Sequence, residues 1–228
     1  EDRTEGTLLF DVAALPALPD GESVGAGDEF TLRFKPADLV TGYQFTLNYN
    51  DLQLLDVLPG EGMTKENFGL FLSEKALTTS WDGSQSSEFS VKFRALKAGR
   101  LSEMLSVSNR ITRAEAYKPN DANSSAVTKM SVALRYNTGI VTGVGFELYQ
   151  NQPNPFVQRT VIGFHLPEAA TATLSIFDET GRLVLVQKGD FPKGENSIPV
   201  ERGKLKGASG MLMYKLETAT NSATRKML

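Results

Sequence analysis

The sequence predicts an all-β protein made of two antiparallel β-sandwich domains. Three observations carry that expectation. Short runs rich in Val, Ile, Thr, Phe and Tyr alternate with polar residues, clusters of Gly, Pro, Asn and Asp separate those runs, and helical periodicity is weak throughout. At 228 residues the chain is long enough for two ordinary domains, each burying a core without a metal or disulfide staple.

In the first half, residues 30–34, 43–49, 89–93 and 127–134 are strand-like. Within Gly42-Tyr43-Gln44-Phe45-Thr46-Leu47-Asn48-Tyr49, the residues Tyr43, Phe45, Leu47 and Tyr49 recur at period two, so they share one face, and that face is expected in the core. The best helical signal is at 64–72, where Thr64 can cap one short turn with Glu66 or Asn67 following. Residues 138–145 carry Gly139, Gly143 and Gly145 without the alternation of their neighbours, and read as a linker between a domain at 1–137 and a domain at 146–228. In the second domain 160–166, 171–177, 182–186, 197–200, 211–216 and 223–228 are strand-like. A strand every ten residues or so is the spacing of an antiparallel sandwich, and about seven strands make it immunoglobulin-like in size.

Composition narrows the function classes. Hydrophobic residues at 40% and charged residues at 22% are ordinary for a folded protein. Before Tyr136-Asn137 there are 19 acidic and 14 basic residues, and after it 8 and 10, so the halves differ in sign. The excess is too small and scattered for a nucleic-acid footprint. No apolar run approaches the roughly 18 residues that cross a bilayer. Glu1-Asp2-Arg3-Thr4-Glu5-Gly6 has neither the basic start nor the apolar stretch of a signal peptide, so the chain is expected to be a piece of a longer precursor. Cysteine is absent, which excludes disulfides, thiolate metal sites and cysteine nucleophiles.

Motifs in the second domain resemble the C-terminal sorting domain (type A) of the type IX secretion system of Bacteroidetes. They are Leu148-Tyr149-Gln150-Asn151-Gln152-Pro153-Asn154-Pro155-Phe156, then Thr160 to Glu168, then Leu174-Ser175-Ile176-Phe177-Asp178-Glu179-Thr180-Gly181-Arg182-Leu183-Val184, then Ala208-Ser209-Gly210-Met211-Leu212-Met213-Tyr214-Lys215-Leu216, and Thr224-Arg225-Lys226-Met227-Leu228. Each motif has a plain structural reading too. Pro153 and Pro155 make rigid turns, and Asp178-Glu179-Thr180-Gly181 is a hairpin turn wherever it occurs. The resemblance implies that Pro153, Asn154, Pro155, Phe156, Asp178, Gly181, Arg182, Gly210, Tyr214, Lys226, Met227 and Leu228 carry a sorting signal. It implies recognition by the outer-membrane type IX translocon and its shuttle components, passage through the periplasm, and attachment to surface lipopolysaccharide after processing. Two departures stand out: Pro199 in 197–200 lacks a ladder amide, which makes that strand an edge, and Leu228 closes a few residues short of many family members.

The first domain is similar to cohesin-like β-sandwich domains of jelly-roll form, through 30–34, Gly42 to Tyr49 followed by Leu54-Leu55-Asp56-Val57, and Phe89-Ser90-Val91-Lys92-Phe93-Arg94-Ala95. These are packing patterns and identify no contact residue. A protein or glycan ligand for this domain is an alternative expectation, as an adhesin or scaffold module; another is that the chain is the non-catalytic tail of a secreted hydrolase. His165 is the only histidine, and its alternation with Phe164 and Leu166 predicts an exposed side chain. One histidine and no cysteine disfavour a Ser-His-Asp triad, and no carboxylate pair stands in a catalytic setting, so neither enzyme activity nor a cofactor is expected. In Lys118 to Ser125, Asp121 and Asn123 offer oxygens suited to calcium, but the order matches no EF-hand loop and solvated turns look the same. Trp81, the lone tryptophan, reads as core or rim packing before it reads as a sugar platform.

Overall fold

A computed structural model describes residues 4–83, 87–119, 127–205, 207–208 and 210–228. The chain divides into two compact units, Glu1–Val144 and Gly145–Leu228.

In the first unit a single eleven-stranded sheet carries the core. Its main path runs Leu52–Leu58, Phe89–Ala95, Glu29–Pro36, Thr4–Leu15, Val127–Tyr136, Glu115–Pro119, Gly42–Tyr49, Ala76–Asp82, Phe68–Phe71, with Leu105–Ser108 also on Gly42–Tyr49 and Val141–Thr142 on Val127–Tyr136. The two layers of the sheet share its longest strand. Thr4–Leu15 pairs with Glu29–Pro36 through Phe10 to Leu15 and with Val127–Tyr136 through Thr4 to Val12, so it belongs to both layers of the sandwich. Phe10 on this strand touches Tyr43 and Phe45 of one layer (ring centroids 4.9 and 5.0 Å) and Phe89 of the other (6.3 Å). Tyr43, Phe45, Leu47 and Tyr49 are all buried in this core, as their alternation predicts. Departing from the purely antiparallel expectation, Thr4–Leu15 runs parallel to Val127–Tyr136. Most of the unit lies between the two strands in sequence, so the connection is long enough for a parallel pair.

The expected turn at 64–72 is the 3-10 segment Lys65–Asn67, where Thr64 Oγ1 accepts from the Glu66 amide (3.3 Å) and Asn67 Oδ1 from the Thr64 amide (2.8 Å). Short helical turns at Leu72–Glu74 and Leu101–Met104 went unread in the sequence. The linker expectation for 138–145 needs correction. Gly139, at φ +83°, closes a turn in which the Tyr136 amide donates to Ile140 O, and Val141–Thr142 then pairs back on Leu134 and Arg135. The glycine builds a hairpin here and not a spacer. Thr138 Oγ1 also donates to the buried Glu22 carboxylate (2.9 Å), which accepts from Arg100 Nη2 (2.8 Å) and the Ser102 amide (3.1 Å).

The second unit has the seven strands of the expected sandwich: Glu147–Leu148, Arg159–Leu166 and Gly194–Glu201 in a three-stranded sheet, and Leu183–Phe191, Ala170–Phe177, Leu212–Glu217 and Ser222–Met227 in a four-stranded one, each in that order. Ile162, Phe164, Leu174, Ile176, Tyr214 and Met227 fill the space between the sheets. Pro199 sits on Gly194–Glu201, an edge strand whose outer side has no ladder to satisfy. His165 differs from expectation: it is buried, with Nδ1 2.8 Å from the Gly145 carbonyl, because residues 145–148 fold along this edge of the sheet. Alternation along one strand does not reveal what a neighbouring segment covers.

Candidate functional site

The sorting-signal candidates come from separated parts of the second unit, and the fold brings them to one end of it. Strand register does most of this. Phe177 faces Met213 and Met213 faces Lys226, so the Asp178 turn, the start of Leu212–Glu217 and the finish of Ser222–Met227 share one end of the four-stranded sheet.

The opening motif approaches the same end from the other sheet. Leu148 pairs with Phe164, the Tyr149 amide donates to Gly163 O, and Gln152 bridges Val161, which leads Pro153 to Phe156 across the sandwich. The 152–153 and 154–155 peptide bonds are cis. Asn151, buried, is the hub. Its amide donates to Tyr214 Oη (3.0 Å), and its Nδ2 donates to Pro153 O (3.1 Å) and Thr160 Oγ1 (3.0 Å). The Tyr214 hydroxyl donates in turn to Tyr149 O (2.7 Å), and burial pushes the phenol's pKa up. The buried side-chain polar groups of this knot are thus paired inside the protein.

The knot holds the last strand. Asn154 Oδ1 accepts from the Leu228 amide (2.8 Å), the Phe156 amide donates to Leu228 O (2.9 Å), and Gln150 Nε2 donates to Lys226 O (2.7 Å). Phe156 itself is buried, with the Arg202 guanidinium 5.7 Å from its ring centre. Ser222–Met227 is the edge strand of its sheet, so side chains and loop amides stand where a further strand would otherwise pair.

The residues of this strand divide by face. Met227 is fully buried in the core. Arg225, on the same side, turns inward and donates from Nε to Leu148 O (2.6 Å), tying the two sheets together. Lys226 and Leu228 are exposed. Arg225 and Lys226 therefore do not act as two equivalent surface cations, as their adjacency in sequence suggests. One fastens the sandwich and the other is presented.

At the neighbouring turn, Asp178 Oδ1 accepts from the Thr180 hydroxyl (2.6 Å) and the amides of Thr180 and Arg182 (both 3.0 Å), while Oδ2 takes Arg182 Nε (2.9 Å). The Thr180 hydroxyl and then the Arg182 guanidinium hold the Asp178 carboxyl down at about 2. Gly181 completes the turn at φ +83°, and Gly210, at φ +80°, starts the next strand beside Glu179, whose Oε2 would lie 3.9 Å from a Cβ at position 210. Asp178, Gly181 and Gly210 thus shape a turn that carries the exposed Arg182 head group.

Gln150, Asn151 and Thr160 lie within the resembling motifs but outside the residues to which the resemblance gives a sorting role. A polar residue near a proline pair or at the start of an apolar strand is their signal in the sequence, and only the fold shows Asn151 reaching Tyr214. In the first unit, Asp121 and Asn123 lie outside the described residues, and among the described residues no group of three His, Cys, Asp or Glu is placed to hold a metal. Trp81 packs at the rim of the core, with ring atoms 2.9 and 2.4 Å from where a Cβ would stand at Gly62 and Gly83.

No family model matches the chain, and no curated protein matches it. Among solved structures it is similar to a two-domain fibronectin type III segment of chicken tenascin (11% identity, TM-score 0.24, over 90% of this chain and 95% of that one). It is also similar to the BSP domain of a biofilm-associated protein (7% identity, TM-score 0.26, over 100% of this chain and 52% of that one). A third likeness is to dimeric latent PorU from Porphyromonas gingivalis (10% identity, TM-score 0.30, over 98% of this chain and 33% of that one). Likeness this loose carries no weight for function.

Proposed function

We propose that Gly145–Leu228 is an export signal read by the outer-membrane type IX translocon and its shuttle components, and that it delivers the first unit to the cell surface, where lipopolysaccharide is the anchor after processing. One observation carries the reading: motifs far apart in sequence meet at one end of the unit and clasp an edge strand whose Lys226 and Leu228 face outward. A sandwich needs no such arrangement merely to fold, since an edge can be left short or charged. A receptor that adds a strand to this edge needs the edge held in one conformation, and pre-ordering reduces the entropy lost on capture.

The test fuses 146–228 behind a signal peptide and a fluorescent passenger in a bacterium that has the system. Deleting Lys226 to Leu228 would confound recognition with folding, because Met227 and the Leu228 clasp would go together. Lys226→Ala is the discriminating change. Export of the parent fusion and periplasmic retention of a folded Lys226→Ala fusion are expected. Retention of the parent fusion, or undiminished export of the variant, overturns the assignment.

A further inference from the structure

The first unit carries an open cleft of about 510 Å³. Its floor is Gly42, which stands in register between Tyr117 on one neighbouring strand and Asp82 on the other. The adjoining row with the same orientation is Gln44, between Glu115 and Ser80. Alternation turns both rows away from the core that Tyr43 and Phe45 fill. With no side chain at Gly42, the backbone itself forms the floor beside an aromatic ring: a Cβ there would lie 3.2 Å from Trp81 O, 3.7 Å from Tyr117 Cδ2 and 3.9 Å from Asp82 Cα.

The lining has a definite chemistry. Tyr117 is held upright, its hydroxyl donating to Glu115 Oε2 (2.8 Å), which also pairs with Lys129 Nζ (2.9 Å). Those two charges offset each other. The Gln44 amide and the Asp82 carboxylate make no side-chain hydrogen bond to another described residue. The cleft thus sets the Tyr117 ring beside the Gln44 amide, which both donates and accepts, and the Asp82 carboxylate, an acceptor, with Thr41, Asn67, Ser80 and Trp81 completing the polar and aromatic lining.

We propose that this cleft is a binding site for neutral oligosaccharides, with a pyranose ring laid along Tyr117 and its hydroxyls taken by Gln44 and Asp82. An aromatic face receives the C–H side of a sugar, and a few convergent polar groups fix its orientation. Asp82 repels uronates and sialic acids, which sets the charge preference. A peptide strand is the poorer occupant. Gly42–Tyr49 already has neighbours on both sides, so the face has no free backbone edge for strand addition. Trp81 also lines the cleft, with its carbonyl oxygen 3.2 Å from where a Cβ would stand at Gly42, while its ring packs against the core.

This inference stands apart from the export reading, and its test does not involve secretion. The full chain is applied to an array of neutral, uronate-bearing and sialylated oligosaccharides, alongside Tyr117→Ala and the double variant Gln44→Ala/Asp82→Ala. Retention on neutral oligosaccharides is expected, weakened roughly tenfold or more by each variant, with the double variant melting as the parent does. Should Tyr117→Ala fail to fold, the double variant alone decides. Absence of binding to neutral sugars, binding confined to acidic ones, or neutral-sugar binding untouched by the double variant overturns the proposal.

Discussion

The two units place their last long strands in opposite ways. In the first, the long strands nearest its two ends, Thr4–Leu15 and Val127–Tyr136, lie side by side in the middle of the sheet, with the two-residue Val141–Thr142 pairing back on the latter, and Leu52–Leu58 and Phe68–Phe71 end the main path. In the second, Ser222–Met227 is itself an edge, held on its outer side by Gln150, Asn154 and Phe156 instead of by another strand. A chain end in mid-sheet is secured by ladders on both flanks and by the core beneath. A strand at the edge has one ladder and depends on a few side-chain and loop bonds on its other side.

The sharpest test of that contrast is in the core. Phe45→Ala should cost the first unit about 3 to 5 kcal/mol, the usual penalty for a buried phenylalanine. Urea unfolding with a probe in each unit should show the first transition moving and the second staying put. Equal movement of both would mean that the units do not fold independently.

Met227→Ala comes next, at about 2 to 5 kcal/mol, confined to the second unit. Although one residue from the finish of the chain, Met227 is fully buried, so its loss should register in thermal unfolding as strongly as a mid-strand truncation. A negligible shift would show that the last strand is not docked.

Tyr214→Phe removes one oxygen and leaves the Asn151 amide without its acceptor and Tyr149 O without its donor, for about 1 to 3 kcal/mol. Hydrogen exchange should then speed up at Asn151 before it does in the core strands. Unchanged protection at Asn151 would argue that water replaces the hydroxyl.

Acid sharpens the comparison differently. In the first unit burial pushes the Glu22 carboxyl up, but Arg100, Ser102 and Thr138 outweigh it and hold the group at about 2, below its ordinary 4.5. A folded-state value below the unfolded one means that the stabilisation is complete above about pH 4.5 and is lost as pH falls toward 2. Glu22→Gln should therefore flatten the acid limb of the first unit's stability profile and leave that of the second, where Asp178 behaves likewise, as it was. A profile unchanged by the substitution would place the acid sensitivity elsewhere.

The smallest effect belongs to Lys226→Ala, within about 0.5 kcal/mol, as for other exposed positions. Set beside Met227→Ala, it separates the presented face of the last strand from its buried face. A large loss in calorimetry would remove Lys226 as a specific probe of recognition.

How much was legible before folding follows from the range of each cue. Period-two alternation in 42–49, the run of turn residues, and Pro199 as the mark of an edge are local properties of a strand, and the sequence by itself determined them. It also determined that no thiol chemistry is available. Register, layer closure and burial by distant segments involve residues that no local pattern links. Only the tertiary structure decided that His165 lies under the turn at Gly145, that Gly139 makes a hairpin, and that Thr4–Leu15 runs parallel to Val127–Tyr136. It alone separated Arg225, which fastens two sheets, from Lys226, which faces solvent. Adjacent residues of a strand point to opposite faces, and which face is covered depends on what the rest of the chain packs against it.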